Sequence, residues 1–71
     1  MKKYNIIIGS PIEYEQLTAD IVINEKYVAR VQKEEGNDKM VLEFFEDPIK
    51  TKIYINDFIE ALQDAKALLL K

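Results

Sequence analysis

The fold is decided by the alternating stretch TADIVINEKYVARVQKEEGNDKMVLEFFEDPIKTKIYI, which runs from Thr18 to Ile55. Within it apolar residues recur at every second position, which is the period of a β-strand whose two faces meet different surroundings. A helical pattern follows from about Asp57 to Leu70. The pattern predicts an α+β fold, an antiparallel four- to five-stranded β-meander with one C-terminal α-helix packed on one face.

The loops between these strands predict how they pair. A three-residue loop at Asn24-Glu25-Lys26 predicts the pairs Ile23–Tyr27, Ile21–Ala29 and Ala19–Val31. A hairpin turn at Gly36-Asn37 predicts the pairs Val31–Leu42 and Ala29–Phe44. A one-residue slip would move every side chain to the other face, so the agreement of both registers on one buried face supports them. A short last strand adds Ile53 and Ile55 to that face.

The segments on either side complete a single domain over residues 1–71. An N-terminal strand and edge segment occupy 1–17, the meander 18–55 and the helix 56–71. Lys3 to Ile8 suits a strand, Pro11 breaks it, and residues 12–17 could be a turn of helix or an edge segment. In the helix, Asp57 and Glu60 have the spacing of a capping box. Its sheet-facing stripe is predicted to be Phe58, Leu62, Ala65 and Leu69, widened by Ile59 and Leu68.

Composition argues against several classes of function. The 71 residues contain no cysteine and no histidine, which removes disulfides, thiolate chemistry and a histidine general base. A net charge of −3 disfavours nucleic acid as a partner, because phosphate binding needs clustered Lys and Arg. No stretch has the roughly 20 apolar residues of a membrane span, and the N-terminal apolar run is too short for a signal peptide. We expect a cytoplasmic protein with no nucleic-acid or membrane partner.

No catalytic or cofactor site emerges from the sequence. The two glycines, Gly9 and Gly36, cannot form a phosphate-binding loop, and Ser10 is the only serine. Glu34, Glu35 and Asp38 could form a cation site, but they lack the ligand spacing of a calcium loop and fit a solvated turn better. The chain is therefore expected to be no enzyme and to hold no cofactor or metal.

The predicted sheet has a second face with no intramolecular cover apparent in the sequence. The registers place Asp20, Arg30 and Glu43 side by side on it. This face could be a solvated surface with ordinary cross-strand charge pairs. The alternative is a contact surface for another protein, since arginine and aromatic anchors surrounded by charge are typical of one. The partner-binding residues predicted on this reading are Asp20, Val28, Arg30, Glu43, Phe45 and Tyr54, with Glu34, Glu35 and Asp38 at the rim.

Acidic residues concentrate in the strands and loops, where ten of the thirteen lie between Glu13 and Asp47. Scattered acids commonly serve solubility. An acidic surface can also meet a basic partner and accelerate docking by electrostatic steering. Both readings remain open at the level of sequence.

Several segments of the chain form a recognisable pattern, namely EQLTADIVI at 15–23, KYVA at 26–29, EEG at 34–36, and DFIEAL at 57–62 with Ala65-Lys66. This pattern resembles a group of small, mostly uncharacterised bacterial proteins, some of which look like immunity proteins of polymorphic toxins. Where the pattern has glycine in the first hairpin, this chain has Glu25. The resemblance implies a cytoplasmic protein that blocks a toxin by occlusion.

Two hypotheses for function follow. The first is a small non-catalytic protein-binding module, such as an immunity-type inhibitor, that occludes a basic-surfaced toxin or enzyme through the open sheet face and acidic loops. The alternative is a structural homodimer that uses the same face or the leucine-rich end of the helix at Leu68-Leu69-Leu70.

Overall fold

The computed structural model describes residues 4–45 and 52–71 and shows an antiparallel sheet with a C-terminal helix. The four strands lie in the order β1-β2-β3-β4, so each strand pairs with its neighbour in sequence. This confirms the predicted α+β meander, with four strands in the sheet. The elements are β1 (Tyr4–Gly9), β2 (Thr18–Ile23), β3 (Lys26–Gln32), β4 (Val41–Phe44) and α1 (Ile55–Leu69).

The predicted registers are confirmed in the middle of the sheet and wrong at the first hairpin. Ala19 pairs with Val31 and Ile21 with Ala29, and β4 follows the register expected for it. Near the hairpin, however, Ile23 pairs with Lys26 instead of Tyr27. The loop contains only Asn24 and Glu25, whose φ angles are 53° and 66°. Positive φ at both central residues is the geometry of a type I′ turn, which matches the twist of the flanking strands.

The shorter loop is compensated by a β-bulge at Val28. Val22 pairs with Tyr27 and Ile21 with Ala29, so Val28 is the additional residue on β3. The bulge turns the Val28 side chain into the core, so that the residue is only 4% exposed. It places Tyr27 on the opposite face, where that residue is 53% exposed. The prediction of Val28 as a partner-binding residue was therefore wrong, because a strict two-residue period does not hold across a bulge.

The second hairpin keeps its predicted register but not its predicted turn. β3 ends at Gln32 and β4 begins at Val41. Two successive turns fill the interval, closed by hydrogen bonds from the Gly36 N–H to the Lys33 carbonyl and from the Lys39 N–H to the Gly36 carbonyl. The loop is thus wider than a two-residue turn at Gly36-Asn37.

The last predicted strand is replaced by the start of the helix. Residues 52–54 are not in a strand, and α1 begins at Ile55 with Tyr54 as its N-cap residue. The predicted capping box at Asp57 is also wrong, because the helix begins before it. Ile55 lies three and four residues before Phe58 and Ile59, which is helical spacing. The loop predicted at 46–48 lies outside the described residues.

α1 packs on one face of the sheet, chiefly over β1 and β2. Its Ala61, Ala65 and Leu69 are buried, and Phe58 and Leu62 pack partly against the core. The predicted stripe is thereby confirmed, whereas Ile59 and Leu68 are exposed and do not widen it into the core. The sheet contributes Tyr4, Ala19, Ile21, Ile23, Val28, Ala29 and Val31 to this core.

Across residues 4–45 and 52–71, no helix combines the length and the apolar character that a membrane crossing requires.

Candidate functional site

The face of the sheet opposite α1, called the outer face below, carries a row of three charged side chains. Asp20 pairs with Arg30 and Arg30 with Glu43, as the sequence predicted. The Arg30 guanidinium donates from Nε to Asp20 Oδ1 at 2.7 Å and from Nη2 to Asp20 Oδ2 at 3.2 Å. A bidentate arginine–carboxylate pair fixes both side chains in one geometry. The exposed fraction is 20% for the Arg30 side chain and 14% for that of Asp20.

Arg30 also lies between two aromatic rings. Its Cζ is 5.3 Å from the centre of the Tyr14 ring and 5.2 Å from that of Phe45. Both distances fall within the range of cation–π attraction. The hydrogen bonds to Asp20 raise the pKa of Arg30 further above its ordinary value, against the opposing effect of burial. The cation is therefore permanent and held in place on three sides.

Tyr14 connects this arrangement to β4. Its hydroxyl donates a hydrogen bond to Glu43 Oε1 at 2.5 Å. That hydrogen bond raises the pKa of Tyr14, while Arg30 acts in the opposite direction. Since Tyr14 belongs to the loop between β1 and β2, the loop reaches across β2 and β3 to contact β4.

A carboxylate on the second hairpin holds the same loop. Glu34 accepts hydrogen bonds from the backbone N–H groups of Glu15, at 2.7 Å, and Gln16, at 2.9 Å. The Glu34 N–H in turn donates to Gln32 Oε1 at 2.9 Å. Residues 12–17, which the sequence left open between helix and edge strand, thus form a tethered loop. The expectation of no intramolecular cover on the outer face was therefore wrong.

A second aromatic contact extends the site toward the first hairpin. The Tyr27 and Phe45 rings meet edge to face, with centroids 5.9 Å apart and planes at 88°. Tyr14, Arg30, Phe45 and Tyr27 therefore form a continuous series, called the aromatic–arginine cluster. The Phe45 N–H donates to the Val28 carbonyl at 3.1 Å, which anchors the backbone of this series at the bulge.

The structure brings together four of the predicted contact residues and separates the others. Asp20, Arg30, Glu43 and Phe45 share the outer face. Tyr54 does not, because it precedes α1 and lines a pocket with Ile23, Asn24 and Asp57. The predicted rim residues Glu34, Glu35 and Asp38 all lie in the β3–β4 loop, where Glu34 holds the neighbouring loop.

Two functional candidates were missed at the level of sequence. Tyr27 was assigned to the core because the bulge was not foreseen; Asn24, a residue that tolerates positive φ, was the available indication of a tighter turn. Nothing in the sequence indicated a role for Tyr14, because its contact with Glu43 joins residues 29 positions apart.

The chemistry available on this face is that of charge, hydrogen bonding and aromatic area. Within the described ranges, no group of three or more acidic side chains is arranged to hold a metal ion. The Glu34 carboxylate, part of the cation site considered from sequence, is engaged with backbone N–H groups.

Comparison with known proteins finds no matching family model and no significant match among curated proteins or solved structures. We therefore infer function from the chemistry of the outer face.

Proposed function

We propose that this protein is a small non-catalytic binding module that docks through its outer face on a basic surface of another protein, as an immunity-type inhibitor would occlude its toxin. The aromatic–arginine cluster is the observation that carries this proposal. Tyrosine and arginine are enriched among the residues that dominate binding energy at interfaces. Here they are present in one contiguous and preorganised group.

Preorganisation supports binding because association otherwise has to order the side chains of the interface. Arg30 is fixed by Asp20 and by two rings, and Tyr14 by Glu43. Tyr27 is 53% exposed and rests edge-on against Phe45. It can therefore bury substantial area against a partner at little further cost in conformational freedom.

The charges around the cluster define the kind of partner. Asp20 neutralises Arg30, so Glu43 and the acids of the adjoining loops give the surroundings an acidic excess. Glu13, Glu15, Glu34, Glu35 and Asp38 are all exposed. An acidic rim attracts a surface rich in Lys and Arg and raises the rate of encounter. Reduced association at high salt is the expected signature.

The test is affinity capture from the native host with the wild-type protein and two matched variants. Tyr27→Ala removes the exposed ring of the cluster, and Tyr54→Ala removes an exposed ring from the start of α1. We expect a basic protein to be retained by the wild type and by Tyr54→Ala. With that protein purified, Tyr27→Ala should weaken the affinity by at least about tenfold, the loss typical of an anchor residue.

Circular dichroism of each variant serves as the control for folding. Equal affinity of the wild type and Tyr27→Ala for the captured protein would exclude the outer face as the binding surface. Loss of affinity in Tyr54→Ala alone would move the site to the start of α1.

A further inference from the structure

The edge strand β1 lacks the features that normally keep a sheet edge from pairing. Its sequence, YNIIIG, contains no charged residue and no proline, and its pairing with β2 runs over six residues without a bulge. Ile7 is 43% exposed and Ile8 38% exposed. Natural proteins protect such edges with charge, proline, bulges or very short strands. In the described part of the chain no strand covers the free side of β1.

A groove runs alongside this edge on the helix side of the sheet. Its volume is about 410 Å³, and Tyr4, Asn5 and Ile6 of β1 form one wall. The other wall is a single face of α1 and the residues that follow it, made of Asp64, Ala67, Leu68 and Lys71. The spacing of these four residues, i, i+3, i+4 and i+7, places them in one row along the helix.

We propose that β1 is a self-association site, where a second copy of this chain adds its own β1 antiparallel and continues the sheet. A pairing centred on Ile7 puts Ile7 opposite its own equivalent and Ile6 opposite Ile8 of the partner subunit. The exposed isoleucines then contact one another across the pair, which is the contact that stabilises adjacent strands. The site lies at the edge of the sheet, where Ile7 pairs with Asp20 at the border of the outer face, and it does not depend on the function proposed above.

The position of α1 suits this arrangement. α1 packs over β1 and β2, and adjacent strands are about 4.8 Å apart. Continuing the sheet through two β1 strands would place the two helices about 10 Å apart, close to the 8–10 Å at which helices pack. The helix of the second copy would thus fill the groove, and Ala67 allows its close approach.

Charge identifies the second copy as the occupant. The two-fold axis of this pairing makes the two helices antiparallel, so the two rows run in opposite directions and Asp64 of each chain lies toward Lys71 of the partner subunit. The acid and the base lie at opposite ends of the same row, so the surface is complementary to itself. Asp64 already accepts a hydrogen bond from the Tyr4 hydroxyl, and a carboxylate can accept several such bonds.

Sedimentation velocity over a dilution series tests the proposal. The wild type should reach twice its chain mass of 8.3 kDa at high concentration and dissociate on dilution. Ile7→Lys places like charges opposite each other at the centre of the pair, and Ala67→Arg blocks the approach of the helices. Each should raise the dissociation constant by at least about tenfold. Ile12→Lys, at a fully exposed loop position, is the matched control and should behave as the wild type.

The outcome also separates this site from the outer face. Tyr27→Ala should leave self-association unchanged. A mass of one chain at every concentration would overturn the proposal. So would a dimer that resists both Ile7→Lys and Ala67→Arg, or one that Tyr27→Ala abolishes. Because the two substitutions lie on different elements, misfolding of one variant leaves the other as a test.

Discussion

At the scale of single residues, Glu25 occupies a strained backbone position in the first hairpin. Its φ of 66° lies in the left-handed region, where a side chain with a Cβ is strained. Asn24 before it, at 53°, belongs to a residue type that tolerates this region. The hairpin is therefore tight, but the backbone strain at Glu25 lowers the stability of the folded protein.

Replacing Glu25 with glycine should stabilise the protein. Glycine adopts positive φ without steric cost, and Asn-Gly is the preferred pair for a type I′ turn. We expect Glu25→Gly to raise the free energy of unfolding by about 1 kcal/mol, measured by urea denaturation. Glu35→Gly is the control: Glu35 is not among the positive-φ residues, so glycine there should give no gain. Equal effects of the two substitutions would contradict this account.

At the scale of elements, the bulge on β3 decides which side chains reach the outer face. Strict alternation would bury Tyr27 and expose Val28, whereas the structure has the reverse. A bulged and an unbulged β3 therefore predict opposite burial for Tyr27 and Val28.

Alanine substitution at both positions tests the bulge. Val28→Ala removes buried methyl groups and should lower the free energy of unfolding by about 2 kcal/mol. Tyr27→Ala removes a half-exposed ring and should lower the free energy of unfolding by less than about 1 kcal/mol. Thermal or urea unfolding of both variants provides the measurement. A larger loss in Tyr27→Ala would indicate an unbulged strand.

The sequence predicted those parts of the fold that rest on periodicity. The central strand pairs, the row from Asp20 through Arg30 to Glu43, and the helical stripe all follow from periods of 2 and 3.6. The type I′ turn, the bulge and the early start of α1 did not follow, because each rests on one or two residues whose backbone geometry several residue types can adopt. The cover over the outer face depends on Tyr14 and Glu34, which act through contacts distant in sequence.

At the scale of the whole molecule, a hydrogen bond joins the first strand to the C-terminal half of the helix. The Tyr4 hydroxyl donates to Asp64 Oδ2 at 2.5 Å across 60 positions of sequence. This hydrogen bond, with a smaller contribution from burial, raises the pKa of Tyr4 from 10.0 to about 12. Neutral Tyr4 is therefore favoured in the folded protein.

Stability should consequently fall at alkaline pH. Because the pKa is raised on folding, this contribution is fully present below pH 10 and is lost as pH rises toward about 12. We expect the free energy of unfolding to decline over that interval in the wild type and to decline less in Tyr4→Phe. Chemical denaturation at a series of pH values gives the comparison. Identical pH profiles would show that Tyr4 has no such role.

The two proposed binding surfaces lie on different parts of the molecule. The outer face carries the aromatic–arginine cluster within an acidic rim, and the β1 edge with its groove is the proposed self-association site. Since α1 covers the remaining face over β1 and β2, neither surface obstructs the other. A dimer formed through β1 would leave both outer faces available to partners.

An amide-resolved NMR titration with the captured basic protein tests the claim that the partner binds through the outer face. We predict that the largest shift changes fall on Tyr14, Tyr27, Arg30, Glu43 and Phe45, and that signals of α1 change little. Shift changes confined to α1 or β1, with those five residues unaffected, would contradict the claim.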